Sequence, residues 1–340
     1  MSKKVGKQSV MLANPPVLIS RAAVVGPKEG QGPLREFYDY IYSDNICGQA
    51  SFEKAERHMV QNACYLALNS CGKIPKEMDY FLAGDLLNQT TTSSFSAVQL
   101  EIPFFGLYGA CSTMGESLSL AAMLIDGGFA DYVLAATSSH NSTSERQYRY
   151  PTEYGGQRPP YAQWTVTGAG AAVVAKNGQG PRLTWITTGK VMDMGIKDPF
   201  NMGAAMAPAA AKTIIQHFCD TGRGPDYYDL IVTGDLGRFG HDLTVKLAIS
   251  GGGFDLSQNY QDCGMMIYDG KQDVHSGGSG CGCSAVVTYG CLLKEMAKGT
   301  YEKVLVVATG ALHSPTTFQQ GENIPAIAHA VALENLPKLD

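Results

Sequence analysis

The sequence has no long apolar run, no surplus of basic residues and no recognisable secretory leader, and each absence excludes a class of protein. No apolar stretch approaches the length that crosses a bilayer, so we expect no membrane-spanning helix. Lysine and arginine total 26 against 31 acidic residues, a net charge of −5, which argues against a general nucleic-acid surface. We therefore expect a protein that is soluble or attached to a membrane only at its periphery, without a nucleic-acid partner.

The nine cysteines follow neither a disulfide framework nor the spacing of a zinc knuckle. This pattern, without a secretory leader, indicates a reducing compartment. Cys281, Cys283 and Cys291 are predicted to be buried free thiols, with the last two on one helix. The run Gly168–Ala175 lacks the strand-then-helix context of a dinucleotide fingerprint and is predicted to be a close-packed strand. No metal ion and no cofactor is expected.

The chain does have enough residues for a large core, and it repeats itself. It is 340 residues long and 44% hydrophobic. Segments 79–86 and 229–236 both read as a short buried strand that ends in Gly-Asp-Leu. At a fixed offset of 172 residues, three pairs of like residues coincide: Cys111 with Cys283, Gly127 with Gly299, and Thr137 with Thr309. A match across turn, helix and strand indicates two related halves, which we place at residues 1–180 and 181–340.

Each half alternates strands with helices, which is typical of an α/β fold with mostly parallel sheets covered on both faces. Predicted strands include Tyr132–Thr137 and Val304–Thr309, whose nearly continuous apolar runs suit burial on both sides. Predicted helices include Phe52–Ser70 and Ala204–Phe218, each with an apolar or small-residue face.

Cys111 stands at an abrupt passage from an extended segment into a helix, in Gly-Leu-Tyr-Gly-Ala-Cys-Ser-Thr (106–113). Small residues on either side allow a sharp turn. A thiol there should face the free N–H groups of the first helical turn and the positive end of the helix dipole. The position therefore predicts a thiolate, or a place where another anion binds.

These features together resemble the thiolase superfamily, in which a cysteine heads the buried helix of the first of two pseudo-dyad-related halves. Thr-Gly-Ala-Gly-Ala-Ala-Val-Val (167–174) resembles a strand of its ketoacyl synthase III branch, and residues 228–237 resemble the segment that there ends in a catalytic histidine. The resemblance implies a five-layered αβαβα fold over nearly the whole chain.

A closer resemblance is to the stage V sporulation protein AD family of spore-forming bacteria. It rests on residues 106–113, 137–154, 162–172 and 275–285. This resemblance implies a homodimer that binds dipicolinic acid and helps to deliver it into the developing spore. It also implies a cytoplasmic protein held at the inner spore membrane by membrane-embedded partners of the same stage V sporulation A operon.

The sequence departs from a condensing enzyme where the resemblance would place the groups that assist the cysteine. Gly234-Asp235 stands where the family pattern has its first histidine, and Gly282 stands near the second catalytic position. An aspartate beside a thiolate would raise the pKa of the thiol. Because positioned acid–base and oxyanion groups contribute about 10²–10⁴-fold each, we predict no catalytic residue, with Cys111 a vestigial nucleophile. The alternative is a Cys111-dependent acyl-transfer or condensing enzyme, with His275 moving into the second role.

Dipicolinate is a flat dianion, often carried with calcium, so its site should offer donors, cations and a planar slot. The candidate ligand-binding residues are Cys111, His140, Arg158, Asp235 and His275. The loop 138–163 adds Arg146, Arg149, Tyr148, Tyr150, Tyr154 and Tyr161, which could equally be dimer contacts. Asp235 could instead order Arg238 or His241, or act as a turn residue like Asp85. The remaining histidines, His58, His217, His313 and His329, are predicted to be surface or core residues.

Overall fold

The computed structural model describes residues 3–148 and 158–335. The strands in these residues are β1 Lys4–Val5, β2 Ser9–Met11, β3 Val17–Val25, β4 Tyr40–Ile41, β5 Tyr80–Gly84, β6 Phe104–Gly106, β7 Tyr132–Ser139, β8 Trp164–Thr165, β9 Gly168–Ala175, β10 Arg182–Thr187, β11 Leu230–Thr233, β12 Tyr260–Asp262, β13 Gly278–Ser279, β14 Lys303–Ala311 and β15 Ala326–Glu334. The helices are α1 Phe52–Ser70, α2 Thr91–Leu100, α3 Thr113–Asp126, α4 Asn141–Tyr148, α5 Met202–Thr221, α6 Gly237–Gly252, α7 Cys263–Ile267, α8 Cys281–Ala285, α9 Leu293–Ala297 and α10 Pro315–Gln319. A π-helical segment, Val286–Leu292, joins α8 to α9 into one continuous helix.

The principal sheet has the order β12-β11-β14-β15-β10-β3-β9-β7-β5-β6. Its two groups of five strands mirror each other, and a single residue pair, Arg182 with Val17, joins them at β10 and β3. In each group a long strand (β7 or β14) pairs in parallel with one neighbour and antiparallel with the other. The predicted repeat is therefore seen in the strand order, and the sheet is mixed rather than purely parallel.

The helices and strands form five layers, with the buried side chains packed between them. Helices α1 and α2 pack on the outer face of the first group of strands, and α5 and α6 pack on the outer face of the second. Helix α3 and the continuous helix 281–297 lie in the middle, against strands of both groups. This arrangement confirms the predicted αβαβα fold and explains why the central strands are apolar on both faces.

The predicted elements appear close to their expected positions. Helix α1 spans the predicted Phe52–Ser70, and Ser51 caps it by accepting a hydrogen bond from the Lys54 N–H. The segment Gly168–Ala175 is strand β9, as predicted. A Cβ atom at Gly170 would lie 2.7 Å from the Tyr289 ring and 2.8 Å from the Ala285 Cβ. Glycine is therefore needed where the strand packs directly against the central helix, and not for a phosphate loop.

Candidate functional site

Cys111 lies in a tight turn that joins β6 to α3 at the centre of the molecule. Ala110, just before it, has a φ of +49°, a left-handed conformation that costs energy for any residue with a Cβ atom. The N–H groups of Ser112 and Thr113 donate to the carbonyls of Gly109 and Ala110 within the turn. Two of the N–H groups that were expected to face an anion are therefore used within the turn itself.

The second half of the chain holds this turn in place. At the end of β14, a Cβ atom on Gly310 would lie 2.2 Å from the Gly109 carbonyl oxygen and 2.9 Å from the Ser112 nitrogen. Only glycine allows the strand to approach the turn so closely. The thiol of Cys281, at the start of the central helix, donates to the Ala110 carbonyl at 3.0 Å. The turn that carries Cys111 is thus built from both halves.

Cys111 is 5% exposed, and the buried carboxyl of Asp235 interacts with its thiol. Burial raises the pKa of the thiol well above its ordinary value, and the nearby Asp235 raises the pKa further. The prediction of a thiolate is therefore wrong: the desolvation and the carboxyl outweigh the effect of the helix start. Cys111 is a neutral thiol at neutral pH.

Asp235 follows β11 and is 1% exposed. One carboxyl oxygen accepts from the Gly280 N–H at 2.9 Å and from the Ser279 hydroxyl at 3.3 Å. The other accepts from the Thr309 hydroxyl at 2.7 Å. These bonds, and not contacts to Arg238 or His241, fix the side chain. Burial raises the pKa of Asp235 to about 7, so half of the carboxyl groups carry a proton near neutral pH.

A narrow cavity opens above Cys111. It encloses about 370 Å³, part of it open to solvent. The lining is a mixture of apolar side chains, hydroxyl groups, the thiol and one imidazole: Leu86, Tyr108, Ala110, Cys111, Ser144, Tyr148, Thr165, Met202, Ser279, Ala311 and His313. Among the described residues, no lysine or arginine belongs to this lining.

Two tyrosines form one wall of the cavity. The hydroxyl groups of Tyr108 and Tyr148 lie 3.1 Å apart, and the Tyr148 hydroxyl also donates to the Leu86 carbonyl. His313 packs against Tyr148 with ring centroids 5.5 Å apart. His313 was predicted only as a surface or core residue, since nothing in its sequence context sets it apart. His313 reaches the cavity because it follows β14. The pseudo-dyad counterpart of β14 is β7, which leads to α4, the helix that carries Tyr148.

Helix α4 is anchored from behind by a buried acid. Glu56 accepts from the Ser138 hydroxyl at 2.9 Å and from the Thr143 hydroxyl at 3.0 Å. Its burial, together with the nearby Asp85, raises the pKa of Glu56. Asp85 accepts two bonds from Ser93 and one from the Leu87 N–H, which is the turn role that the repeated Gly-Asp-Leu suggested.

The other sequence-predicted site residues lie elsewhere. His140 is buried between β7 and α4, where Nδ1 accepts from the Ser142 N–H and Nε2 lies 2.7 Å from the Asn45 carbonyl. Burial lowers the pKa of His140, so the ring is neutral and positions the backbone. Arg146 pairs with Glu53 at the surface, and Tyr161 donates to Asp198 at 2.9 Å. Arg149, Tyr150 and Tyr154 fall outside the described residues.

His275 lines a separate surface pocket, which we call the His275 pocket, and Arg158 bonds to Asp273 of that pocket. Asp273 joins the two: Arg158 donates to its carbonyl at 2.8 Å, and the His275 Nε2 lies 3.4 Å from its carboxyl. The pocket encloses about 720 Å³ and is lined by Arg238, Gly264, Met265, Tyr268, Asp269, Gly270, Asp273, Val274, His275, Ser276 and Gly277. The structure therefore brings Cys111 and Asp235 together but places His140, Arg158 and His275 outside the lining of the Cys111 cavity.

The described residues contain neither a group of metal ligands nor a membrane-spanning helix. No three His, Cys, Asp or Glu side chains between residues 3–148 and 158–335 are grouped as metal ligands. No helix in the same ranges is long and apolar enough to cross a membrane.

Comparison with known proteins agrees with this architecture. Residues 6–334 match the family model described as stage V sporulation protein AD. A curated protein of that name from Bacillus subtilis (strain 168) is 50% identical over 332 residues, covering 98% of both chains. Among solved structures, 3-oxoacyl-[acyl-carrier-protein] synthase III of Aquifex aeolicus VF5 is similar with a TM-score of 0.59 at 13% identity, over 94% of this chain and 100% of that one. The corresponding synthase of Pseudomonas aeruginosa PAO1 has a TM-score of 0.55 at 12% identity, over 96% and 99%. The fold is thus that of the thiolase-like synthases, and the chain belongs to the stage V sporulation protein AD family.

Proposed function

We propose that this sporulation protein binds dipicolinic acid without transforming it, and that it supports uptake of the acid into the developing spore. The observation that carries the proposal is the contact of a neutral Cys111 thiol with the Asp235 carboxyl at the floor of a narrow cavity. A nucleophilic thiol needs a base or a positive environment, and Asp235 supplies the opposite. The cavity at Cys111 is still open to solvent and can admit a small ligand.

The lining of the cavity suits a small, flat acid. A narrow slot admits a planar ring, and hydroxyl groups on several sides can donate to carboxylate oxygens. Ser144 comes from α4 and Thr165 from β8, so hydroxyl groups converge from separate elements. The Tyr148 and Ser279 hydroxyls also reach the cavity but already donate to Leu86 and Asp235. His313 adds an imidazole that can donate to an acid or contact the pyridine ring.

The competing function is acyl transfer on a thioester. It is favoured by the position of Cys111 in the cavity and by the fold shared with named synthases. Against it stand the raised pKa of the thiol and the absence of a side chain at Gly234, where the family pattern of condensing enzymes has a histidine. We therefore retain acyl transfer only as an outcome of the test.

Titration calorimetry with dipicolinate tests the proposal. We expect saturable binding to the wild type, and binding within about tenfold to Cys111→Ala, because one thiol hydrogen bond contributes about 0.5–1.5 kcal/mol. Benzoate, with one carboxylate, should bind more weakly. The exposed Cys219 provides the matched variant, Cys219→Ala, which should bind as the wild type does.

The same samples distinguish an acyl-transfer enzyme from a binding protein. Incubation with acetyl-coenzyme A followed by intact-mass spectrometry should show no acetyl group on Cys111. Stoichiometric acetylation of Cys111 that turns over, together with no dipicolinate binding, would establish acyl transfer and end the proposal.

We also propose that two copies of the chain associate through β6 and α2. Strand β6 lies at the end of the principal sheet and pairs only with β5 among the described residues. Three large apolar side chains on this edge are more than half exposed: Phe95, Val98 and Phe105. An unpaired strand edge beside exposed apolar side chains is a surface that a second copy can cover. Tyr108, which lines the Cys111 cavity, follows this edge.

Sedimentation velocity tests the dimer. Val98→Asp should shift the protein from dimer to monomer, because a carboxylate in an apolar interface loses its hydration. Val191 is 55% exposed on a different surface, against 73% for Val98, so Val191→Asp is the matched control and should remain a dimer. A wild type that sediments as a monomer at micromolar concentration would contradict the proposal.

Finally, we propose that the protein reaches the inner spore membrane from the cytoplasm through membrane-embedded proteins of the stage V sporulation A operon. The support is the family membership. Fractionation of sporulating cells should find the protein with the membrane when those partners are present and in the soluble fraction when they are deleted.

A further inference from the structure

The floor of the Cys111 cavity carries acidic groups and no base to balance them. Asp235 is fully buried, and its carboxyl contacts two lining residues, Cys111 and Ser279. Asp262 acts directly on Asp235, the thiols of Cys263, Cys281 and Cys283 lie around it, and Asp85 and Glu56 act on Cys281. No described lysine or arginine forms an ion pair with Asp235; His241 acts on Asp262, and His313 belongs to the cavity lining. A carboxylate ligand would therefore enter beside a like charge.

Asp262 and Asp235 differ in their ability to remain ionised. Asp262 accepts from the backbone N–H groups of Leu236 and Gly237 at the start of α6, and from the Thr233 hydroxyl. Two backbone donors at a helix start stabilise a carboxylate. Asp235 accepts from a single backbone N–H, that of Gly280, and otherwise from hydroxyl groups and the Cys111 thiol. When a further negative charge arrives, Asp235 is the group that should take up a proton.

A protonated Asp235 keeps a partner on each carboxyl oxygen, although the bond to Thr309 changes direction. The oxygen that faces Gly280 continues to accept, and the other oxygen can carry the proton. That proton can be donated to the Thr309 hydroxyl oxygen, which lies 2.7 Å away and already accepts from the Asp235 N–H at 3.1 Å. Protonation thus removes the charge while both Asp235 oxygens stay hydrogen-bonded, and its cost is the acceptor that the Thr309 hydroxyl hydrogen gives up.

We propose that an anionic ligand binds in the Cys111 cavity together with one proton, which Asp235 takes from solvent and holds while the ligand is bound. The ligand itself gains and loses no covalent bond. This inference rests on the proposed binding function and adds its pH dependence: affinity should fall above neutral pH, where the empty site loses the proton. Release of the ligand returns the proton.

Titration calorimetry of the whole protein with dipicolinate, repeated in phosphate and in Tris, measures proton uptake from the difference in heat between the two buffers. We expect uptake to approach one proton per ligand at pH 8.5 and to fall well below half a proton at pH 6. Above pH 7 the affinity should weaken by about tenfold per pH unit, since one proton must be bound for each ligand.

Asp235→Asn removes the titrating group and keeps the shape of the side chain. Its affinity should stay nearly constant between pH 6 and 8.5, and its proton uptake should disappear. The matched control is Asp85→Asn, which stands in the same Gly-Asp-Leu context but bonds to Ser93 and Leu87 instead of Cys111. That variant should keep the uptake of the wild type.

The outcomes separate this inference from the proposed function. Saturable binding without proton uptake at any pH, or uptake that persists in Asp235→Asn, overturns the proton coupling alone. No binding of dipicolinate by the wild type overturns both. The wild-type measurement decides the question by itself if Asp235→Asn does not fold.

Discussion

Replacing Ala311 by leucine should reduce dipicolinate affinity by about 5- to 150-fold while the protein stays folded. Ala311 ends β14 and lines the Cys111 cavity. A leucine there extends into the space that a ligand would occupy in this narrow slot. A ligand must then displace the new side chain, and overpacking costs about 1–3 kcal/mol, which converts to this range of affinity.

Calorimetry measures the loss, and thermal unfolding shows whether the fold is kept. Ala311→Gly is the matched control, because it widens the slot without adding a donor or a charge, and its affinity should change by less than about threefold. If Ala311→Leu binds dipicolinate as tightly as the wild type, the ligand lies elsewhere. The His275 pocket, with Arg238, His275 and Asp273, is then the next place to examine by substitution.

Replacing Arg223 by methionine should lower the free energy of unfolding by about 3 kcal/mol. Arg223 pairs with Glu334, which ends β15 with a side chain only 4% exposed. The guanidinium also packs on the rings of Trp185 and Tyr227. Methionine keeps much of the packing but leaves the carboxylate buried without its cation, and this accounts for the loss. Because Arg223 is itself 24% exposed, the value stands at the lower end for buried pairs.

Urea unfolding followed by circular dichroism gives the free energies. Lys176 pairs with Asp131 at 3.7 Å, and both side chains are at least 60% exposed, so Lys176→Met is the matched control and should change stability by less than about 1 kcal/mol. Equal losses in the two variants would show that burial of Glu334 does not govern the result.

Much of the architecture follows from short-range patterns. Helix α1 begins at the predicted residue because Ser51 precedes it, and the strands β7 and β14 appear where apolar runs are flanked by turns. The 172-residue offset also matches positions in the two halves, since Thr137 lies in β7 and Thr309 in β14. The cysteine pair matches less closely, because Cys111 stands two residues before α3 and Cys283 is the third residue of α8. Burial of Cys281, Cys283 and Cys291 was likewise predicted and is confirmed.

The residues that line the cavity could not be predicted from short-range patterns. Its lining comes from at least five separated segments, and His313 and Met202 carry no local signal that assigns them to it. His140 was proposed as a ligand-binding residue because it follows β7, but its ring turns to the Asn45 carbonyl. Arg158 and His275 are near each other, as two candidates for one site should be, yet they lie around Asp273 in a different pocket.

The sequence alone therefore determined the α/β class, the internal repeat, the family and the placement of Cys111 between an extended segment and a helix. These depend on residues close together in the chain or on direct comparison of its two halves. The tertiary structure decided the protonation state of Cys111 and the identity of its neighbours. A pKa is set by burial and by charges that arrive from distant parts of the chain. Burial, and after it Asp235, 124 positions after Cys111, raise the pKa of this thiol.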